Sequence, residues 1–241
     1  MTAVAAVLYA DDAIVVVDKP AGLAVHRSGL IGRDDAYLVD LVRESTGRTL
    51  YLAHRLDRAT SGVVLLGASK DIVAMLGAQF MARTVVKRYL AIVRGFLDHE
   101  GAIDHPLDAP GKPEAKAALT RYRTLGRIEL PIPLSRYDSV RYSLLEVEPE
   151  TGRYQQIRRH FRHVSHHLVG DTTHGRGEHN RLFRAQFGVH RLLLHAESLA
   201  FDHPHGGART TIHAPLDAAF RRAVALFGDV AFGGGEGEHR G

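Results

Sequence analysis

The chain of 241 residues contains no cysteine. That excludes disulfides and thiolate metal sites, and it fits a reducing compartment. Tryptophan is absent as well, an absence that excludes nothing. No apolar run approaches the roughly 20 residues needed to span a bilayer. The N-terminus has no basic segment followed by a long apolar one, and Asp11-Asp12 come early, so no secretory signal is evident. A large excess of one charge is also lacking. Lys and Arg number 31 against 27 Asp and Glu, a net +4, with a sequence pI near 9.5. That balance permits a nucleic-acid partner without demanding one. The expected location is the cytoplasm, with no membrane association.

What is present is the composition of a folded domain. Hydrophobic residues make 45% and charged residues 24%, enough to bury a substantial core. No internal repeat and no clear linker divides the chain. We expect one domain over residues 1–230 and a flexible, glycine-rich tail over 231–241.

Ala3 to Ala10 and Ala13 to Asp18 are apolar and β-branched around Asp11-Asp12, which predicts a strand hairpin. Lys19-Pro20-Ala21-Gly22 stops it, and Arg27 to Arg33 is a polar loop. Tyr37 to Ser45 has helical spacing, with Gly47 as its stop. Lys70 to Arg83 places Ile72, Val73, Leu76 and Phe80 on one helical side. Val86 to Gly95 alternates as a strand. Asp98 to Ala118 reads as loop or hairpin and holds Lys112 and Lys116, suited to phosphates or to solvent. Leu119 to Leu125 and Tyr142 to Val147 are strands around an irregular connection, Arg127 to Arg141. A helix is expected from Thr151-Gly152 to Leu168. Arg176 to Gly188 is polar and of undecided structure. Arg191 to Asp202 and Arg209 to His213 form a hairpin, and Leu216 to Phe227 is a closing amphipathic helix.

The most informative stretch is His54-Arg55-Leu56-Asp57-Arg58-Ala59-Thr60-Ser61-Gly62. A carboxylate stands between two arginines, followed by a turn signal and the apolar strand Val63-Val64-Leu65-Leu66. Asp57 is therefore placed on a loop that enters a core strand, a common place for reactive side chains. On these residues alone, an Asp-Arg pair is equally at home as a structural ion pair. Tyr89 on the Val86–Gly95 strand is in the same way a core tyrosine as readily as a ligand-stacking one. The densest positive patch lies at Arg153, Arg158, Arg159 and Arg162.

The nine-residue string resembles the signature of the RluA-type RNA pseudouridine synthases. So do Val17-Asp18-Lys19-Pro20-Ala21-Gly22-Leu23, Lys87-Arg88-Tyr89, Gly152-Arg153-Tyr154-Gln155-Gln156-Ile157-Arg158-Arg159-His160, Gly170-Asp171 and Leu194-His195-Ala196. These motifs also come in the family's order, from about Ala13 to His213. The resemblance implies a mixed α/β (α+β) fold with a largely antiparallel central sheet and flanking helices, without the small N-terminal RNA-binding domain of some relatives. It implies isomerisation of uridine to pseudouridine in RNA, with Asp57 as catalytic carboxylate, Arg158 as its partner and Tyr89 stacking on the target base. Ile157 would cap the other face of the base, and Arg55 would fill the vacancy left in the RNA. His54, Arg153, Lys19 and Lys87 complete the expected RNA-binding set. No cofactor, no metal and no obligate protein partner is implied. Val25 to Ser28 and the Leu130–Tyr142 connection are most like a tRNA-specific branch acting on uridine 65. One departure is plain: Gln155 stands where the family has histidine.

Two rival readings remain at this point. His160, His163 and His167 fall at i, i+3 and i+7, with His166, Asp171 and His174 nearby, which on one helical face would suit a metal-dependent hydrolase. The same fold could also be a non-catalytic RNA-binding module, although RNA binding alone needs no carboxylate amid guanidinium groups.

Overall fold

The computed structural model describes residues 5–26 and 36–230. The expected polar loop at Arg27–Arg33 and the tail at 231–241 lie outside the described residues. Strand β1 (Ala6–Ala10) and β2 (Ile14–Lys19) form the N-terminal hairpin. Helix α1 (Leu38–Thr46) ends at Gly47 in the left-handed conformation, where glycine carries no Cβ penalty. Strands β3 (Tyr51–Leu52) and β4 (Ser61–Gly67) flank the Asp57 loop. Helix α2 (Lys70–Ala82) is capped by the Ser69 side chain, which accepts from the Ile72 N–H.

Strand β5 (Val86–Arg94) is followed by β6 (Glu100–Asp104), β7 (Leu107–Ala109), β8 (Lys112–Lys116), β9 (Leu119–Leu130) and β10 (Val140–Pro149). Helices α3 (Gln156–His163) and α4 (Gly177–Phe187) then precede β11 (Leu194–Asp202), β12 (Arg209–His213) and α5 (Ala218–Val224). The main sheet runs β1-β2-β4-β11-β5-β10-β9-β6, with β12 on β11 and β3 on β4. All its pairs are antiparallel except β4 with β11. The β7–β8 pair forms a separate small sheet.

Both faces of the sheet are covered, and the two-residue period of the strands explains how. Val15 and Val17 of β2 pack with Leu38 and Val42 of α1. Their neighbours Ile14 and Val16 pack with Ile72 and Leu76 of α2. Strand β5 divides in the same way. Ala91 and Val93 meet Ile157 and Phe161 of α3, while Leu90 and Ile92 join Phe183 and Phe220 of α4 and α5. Tyr89 is packed against both the α1-side and the α3-side clusters. It thus stands at the seam between two helices on one face, where a cleft opens.

Several expectations are corrected. Strand β9 runs on to Leu130, so the irregular connection is shorter than Arg127–Arg141. Asp98–Ala118 carries three short strands. Helix α3 stops at His163 rather than Leu168, because the chain turns back through Ser165 at φ 63°. The polar segment after Arg176 is helix α4, which buries Leu182 and Phe183 and leaves its arginines outward. Among the described residues no helix is long and apolar enough to cross a membrane.

Candidate active site

Four strands present one row of paired residues at the cleft. Gly62 of β4 pairs with Ala196 of β11, Ala196 pairs with Tyr89 of β5, and Tyr89 pairs with Val147 of β10. The Asp57 loop leads into this row from one side and the turn before α3 leaves it from the other. Strand pairing therefore brings together residues a hundred positions apart. Gly62 is required here: its φ is 112°, and a Cβ would lie 2.1 Å from the Ala196 carbonyl oxygen.

Asp57 and Arg158 meet directly, with Arg158 Nη1 donating to Asp57 Oδ2 at 3.1 Å. The Asp57 side chain keeps 25% of its exposure, whereas Arg158 keeps 5%. Behind Arg158 lies Asp171, wholly buried. Its carboxylate accepts from Arg158 Nε at 2.7 Å and Nη2 at 2.8 Å, a two-pronged pair. The backbone N–H groups of Thr173 and His174 donate to the same carboxylate. Burial alone would push the Asp171 carboxyl up; Arg158 and those amides outweigh it and hold it below the usual carboxylate range. Asp171 thus fixes Arg158, and Arg158 fixes Asp57. Sequence reasoning did not assign Asp171 this role. Its signal was the Gly170-Asp171 pair, with Gly170 at φ 80° beside the Arg191 carbonyl.

One cavity of about 750 Å³ collects the expected site residues. Asp57, Tyr89, Arg158, Arg55, His54, Ile157, Lys87 and Arg153 all line it. Its size is in the range of ligand pockets. Burial, with Asp57's charge adding, pushes the Tyr89 phenol up, so it is neutral at physiological pH. Arg55 is exposed and has no hydrogen-bonding partner among the described residues. Arg153 Nε donates to the Ala117 carbonyl. Lys87 donates to the Thr151 carbonyl, and burial together with Arg83 pushes its amine down to about 8. His54 turns partly inward: its Nε2 accepts from the Leu65 N–H, its ring lies 5.2 Å from Phe80, and burial pushes it down to about 4.

Lys19 is the member of the expected set that does not reach the cavity. Its amine is fully buried and donates to the carbonyls of Pro20, Leu23 and Arg58. An RNA phosphate has no access to it. Lys19 instead clasps the Asp57 loop to the Lys19–Gly22 turn, a clasp doubled by Gly22 N–H to Arg58 O and by Arg58 Nε to Gly22 O.

The three histidines of the metal reading are also dispersed, because α3 ends before His167. His160 is buried on the His105 carbonyl, His163 stacks on the His105 ring at 3.7 Å, and His167 bonds the His174 carbonyl. Among the described residues no three His, Asp or Glu side chains are arranged to hold a metal ion.

A mixed sheet with an Asp–Arg–Asp chain and a tyrosine in a basic cavity defines a class, and comparison with known proteins identifies it. The model for RNA pseudouridylate synthases matches residues 13–163, and the chain belongs to that family of isomerases. It is 40% identical over 232 residues to tRNA pseudouridine synthase C of Vibrio cholerae, covering 92% of this chain and 95% of the relative. The corresponding protein of Salmonella typhimurium is also 40% identical, with 92% and 89% covered. Among solved structures, Human RNA Pseudouridylate Synthase Domain Containing 4 superposes with a TM-score of 0.71 at 26% identity, covering 92% of each chain.

Proposed function

We propose that this enzyme converts uridine to pseudouridine in tRNA, with Asp57 acting on a uridine swung out of its helix into the cavity. The observation that carries the reading is that Asp57, its partner Arg158 and Tyr89 line one open cavity. The tRNA substrate is supported by the relatives at about 40% identity, which are tRNA pseudouridine synthases. Uridine 65 is the target position proposed, on the likeness of the chain to the branch that acts there. The tRNA pool of the cytoplasm is where we expect it to work.

In the reaction the bond from C1′ to N1 breaks, the uracil turns, and a bond from C1′ to C5 forms. C5 loses a proton and N1 regains one, so substrate and product have the same atoms and oxidation level. An aspartate is ionised at neutral pH, and here it would stand beside the sugar and base. Extruding a stacked base costs a few kcal/mol. Stacking on the neutral Tyr89 ring and contact with Ile157 offset that cost. Arg55, exposed and without a hydrogen-bonding partner among the described residues, has the long planar head suited to filling the gap in the RNA stack.

The test is release of tritium from tRNA labelled at uracil C5, since that position becomes the glycosidic carbon. Wild type releases label, and Asp57→Asn releases none while still binding tRNA. Label release at the wild-type rate by Asp57→Asn would end the proposal. Mapping pseudouridines in tRNA from cells with and without the protein assigns the position.

A further inference from the structure

A second cavity of about 510 Å³ opens beside the first. The small β7–β8 hairpin contributes Asp108, Pro110 and Lys112, and the body contributes Tyr154, Arg159 and His174. Tyr154 lines both cavities and forms the ridge between them. The residue is 45% exposed, and its hydroxyl has no hydrogen-bond partner among the described residues.

The ridge is held by its neighbours. Gln155 adopts φ 49° and its Oε1 is hydrogen-bonded to His174 Nε2 at 2.7 Å. The next residue, Gln156, is buried, and its amide group bonds the Thr151 hydroxyl, the Arg153 N–H, the Leu119 carbonyl and the Thr120 hydroxyl. The backbone that carries Tyr154 is thus fixed on both sides. Across the cavity, Arg159 pairs with the Asp108 carboxylate and donates to the Asp108 carbonyl at 2.7 Å. That pair fastens the hairpin and cancels the one acidic group. Lys112 is left as a cation without an acidic partner among the described residues. An exposed phenol ring on a held backbone, a proline wall and an ammonium without an acidic partner among the described residues suit a nucleotide, with its base on the ring and its phosphate on the amine.

We propose that the second cavity is a subsite for the nucleotide adjacent to the target uridine on the same RNA strand. Its base stacks on Tyr154 and its phosphate meets Lys112. The inference rests on the reading of the first cavity as the uridine site. Extruding the uridine deprives its neighbour of a stacking partner, and Tyr154 supplies another.

The test uses a tRNA from which the wild-type enzyme releases tritium. Tyr154→Ala raises KM roughly tenfold, within the range for loss of one base–aromatic stack, with kcat little changed. Tyr154→Phe behaves as wild type, since the ring and not the hydroxyl is used. Lys112→Gln lowers the slope of log KM against log salt by about 0.7, the loss of one phosphate contact on a single strand. The deciding measurement removes the base instead. On a tRNA with an abasic nucleotide on one side of the target, wild type shows the same tenfold loss and Tyr154→Ala loses nothing further. Wild-type KM for a folded Tyr154→Ala, or additive losses on both the 5′ and the 3′ abasic RNAs, overturns the subsite. A wild-type enzyme that releases no label from any RNA refutes the uridine reading itself, and the subsite falls with it.

Discussion

Replacing Asp171 by asparagine tests the chain of contacts that orients Asp57, the carboxylate proposed to act on the uridine. The Asp171 carboxylate accepts from Arg158 Nε, Arg158 Nη2, Thr173 N–H and His174 N–H. Asparagine keeps the shape but has one acceptor oxygen and one donor group. The less costly orientation keeps the oxygen on Nη2 and the two backbone amides, which turns the NH₂ group toward Arg158 Nε. A charge-assisted bond worth about 1.5–3 kcal/mol becomes a clash of two donors. The buried guanidinium also loses its main counter-charge, and breaking a buried pair from one side costs about 3–5 kcal/mol. These overlap, so we expect a stability loss of about 3 kcal/mol. For a chain of this size that is a fall of roughly 6–12 °C in melting temperature.

The same change frees Arg158 to follow Asp57 or to leave it. A displacement of about 1 Å at a reacting group costs on the order of 10²-fold in rate. Tritium release under saturating tRNA should therefore show kcat down about a hundredfold. KM should change little, because Arg55, Arg153 and Tyr89 are untouched. Asp171→Asn with wild-type kcat and wild-type melting would refute the orienting role. A loss of stability with unchanged kcat would reduce Asp171 to a structural residue.

Arg55→Ala should leave the melting temperature within about 1 °C, since an exposed surface side chain contributes within ±0.5 kcal/mol, while label release falls clearly; equal turnover would remove Arg55 from the site. Gly62→Ala should fail to give soluble protein or should lose several kcal/mol, because its Cβ would collide with the Ala196 carbonyl; a stable, active variant would show that the β4–β11 contact is looser than described. Burial, with Arg191 adding to it, pushes the Lys19 amine down to about 7 from 10.5. Between those values the unfolded chain binds more protons than the folded one, so this group makes stability rise with pH from about 7 to 10.5. Urea midpoints at pH 6.5 and 9 measure the rise, and Lys19→Met should flatten it; an unchanged slope would contradict the assignment.

Asp57, Tyr89 and Arg158, which line one cavity, were singled out because each sits in a short local motif that resembles the family's. Asp57 was marked by its two arginines and the following Thr-Ser-Gly turn. Tyr89 was marked by its place on an alternating strand, and Arg158 by the density of arginines around it. Strands β2, β4 and β5 and helices α1 and α2 could be read because their apolar periods are strong. Helix α4 could not, since only Leu182 and Phe183 among its apolar residues are deeply buried and the rest of the segment is polar.

Sequence alone determined which residue types were available and which local segments held them, since motif and period depend only on neighbours along the chain. What the tertiary structure decided was which of them meet. Lys19 looked like a phosphate ligand until burial turned its amine onto three carbonyls. Asp171 was part of the Gly170-Asp171 motif with no partner assigned until a turn brought it behind Arg158. His160, His163 and His167 shared a face only on a helix that in fact ends too early. Burial and side-chain partnership come from strands paired a hundred residues apart; local spacing does not contain that distance, and the Asp57–Arg158 contact was expected only through the family resemblance.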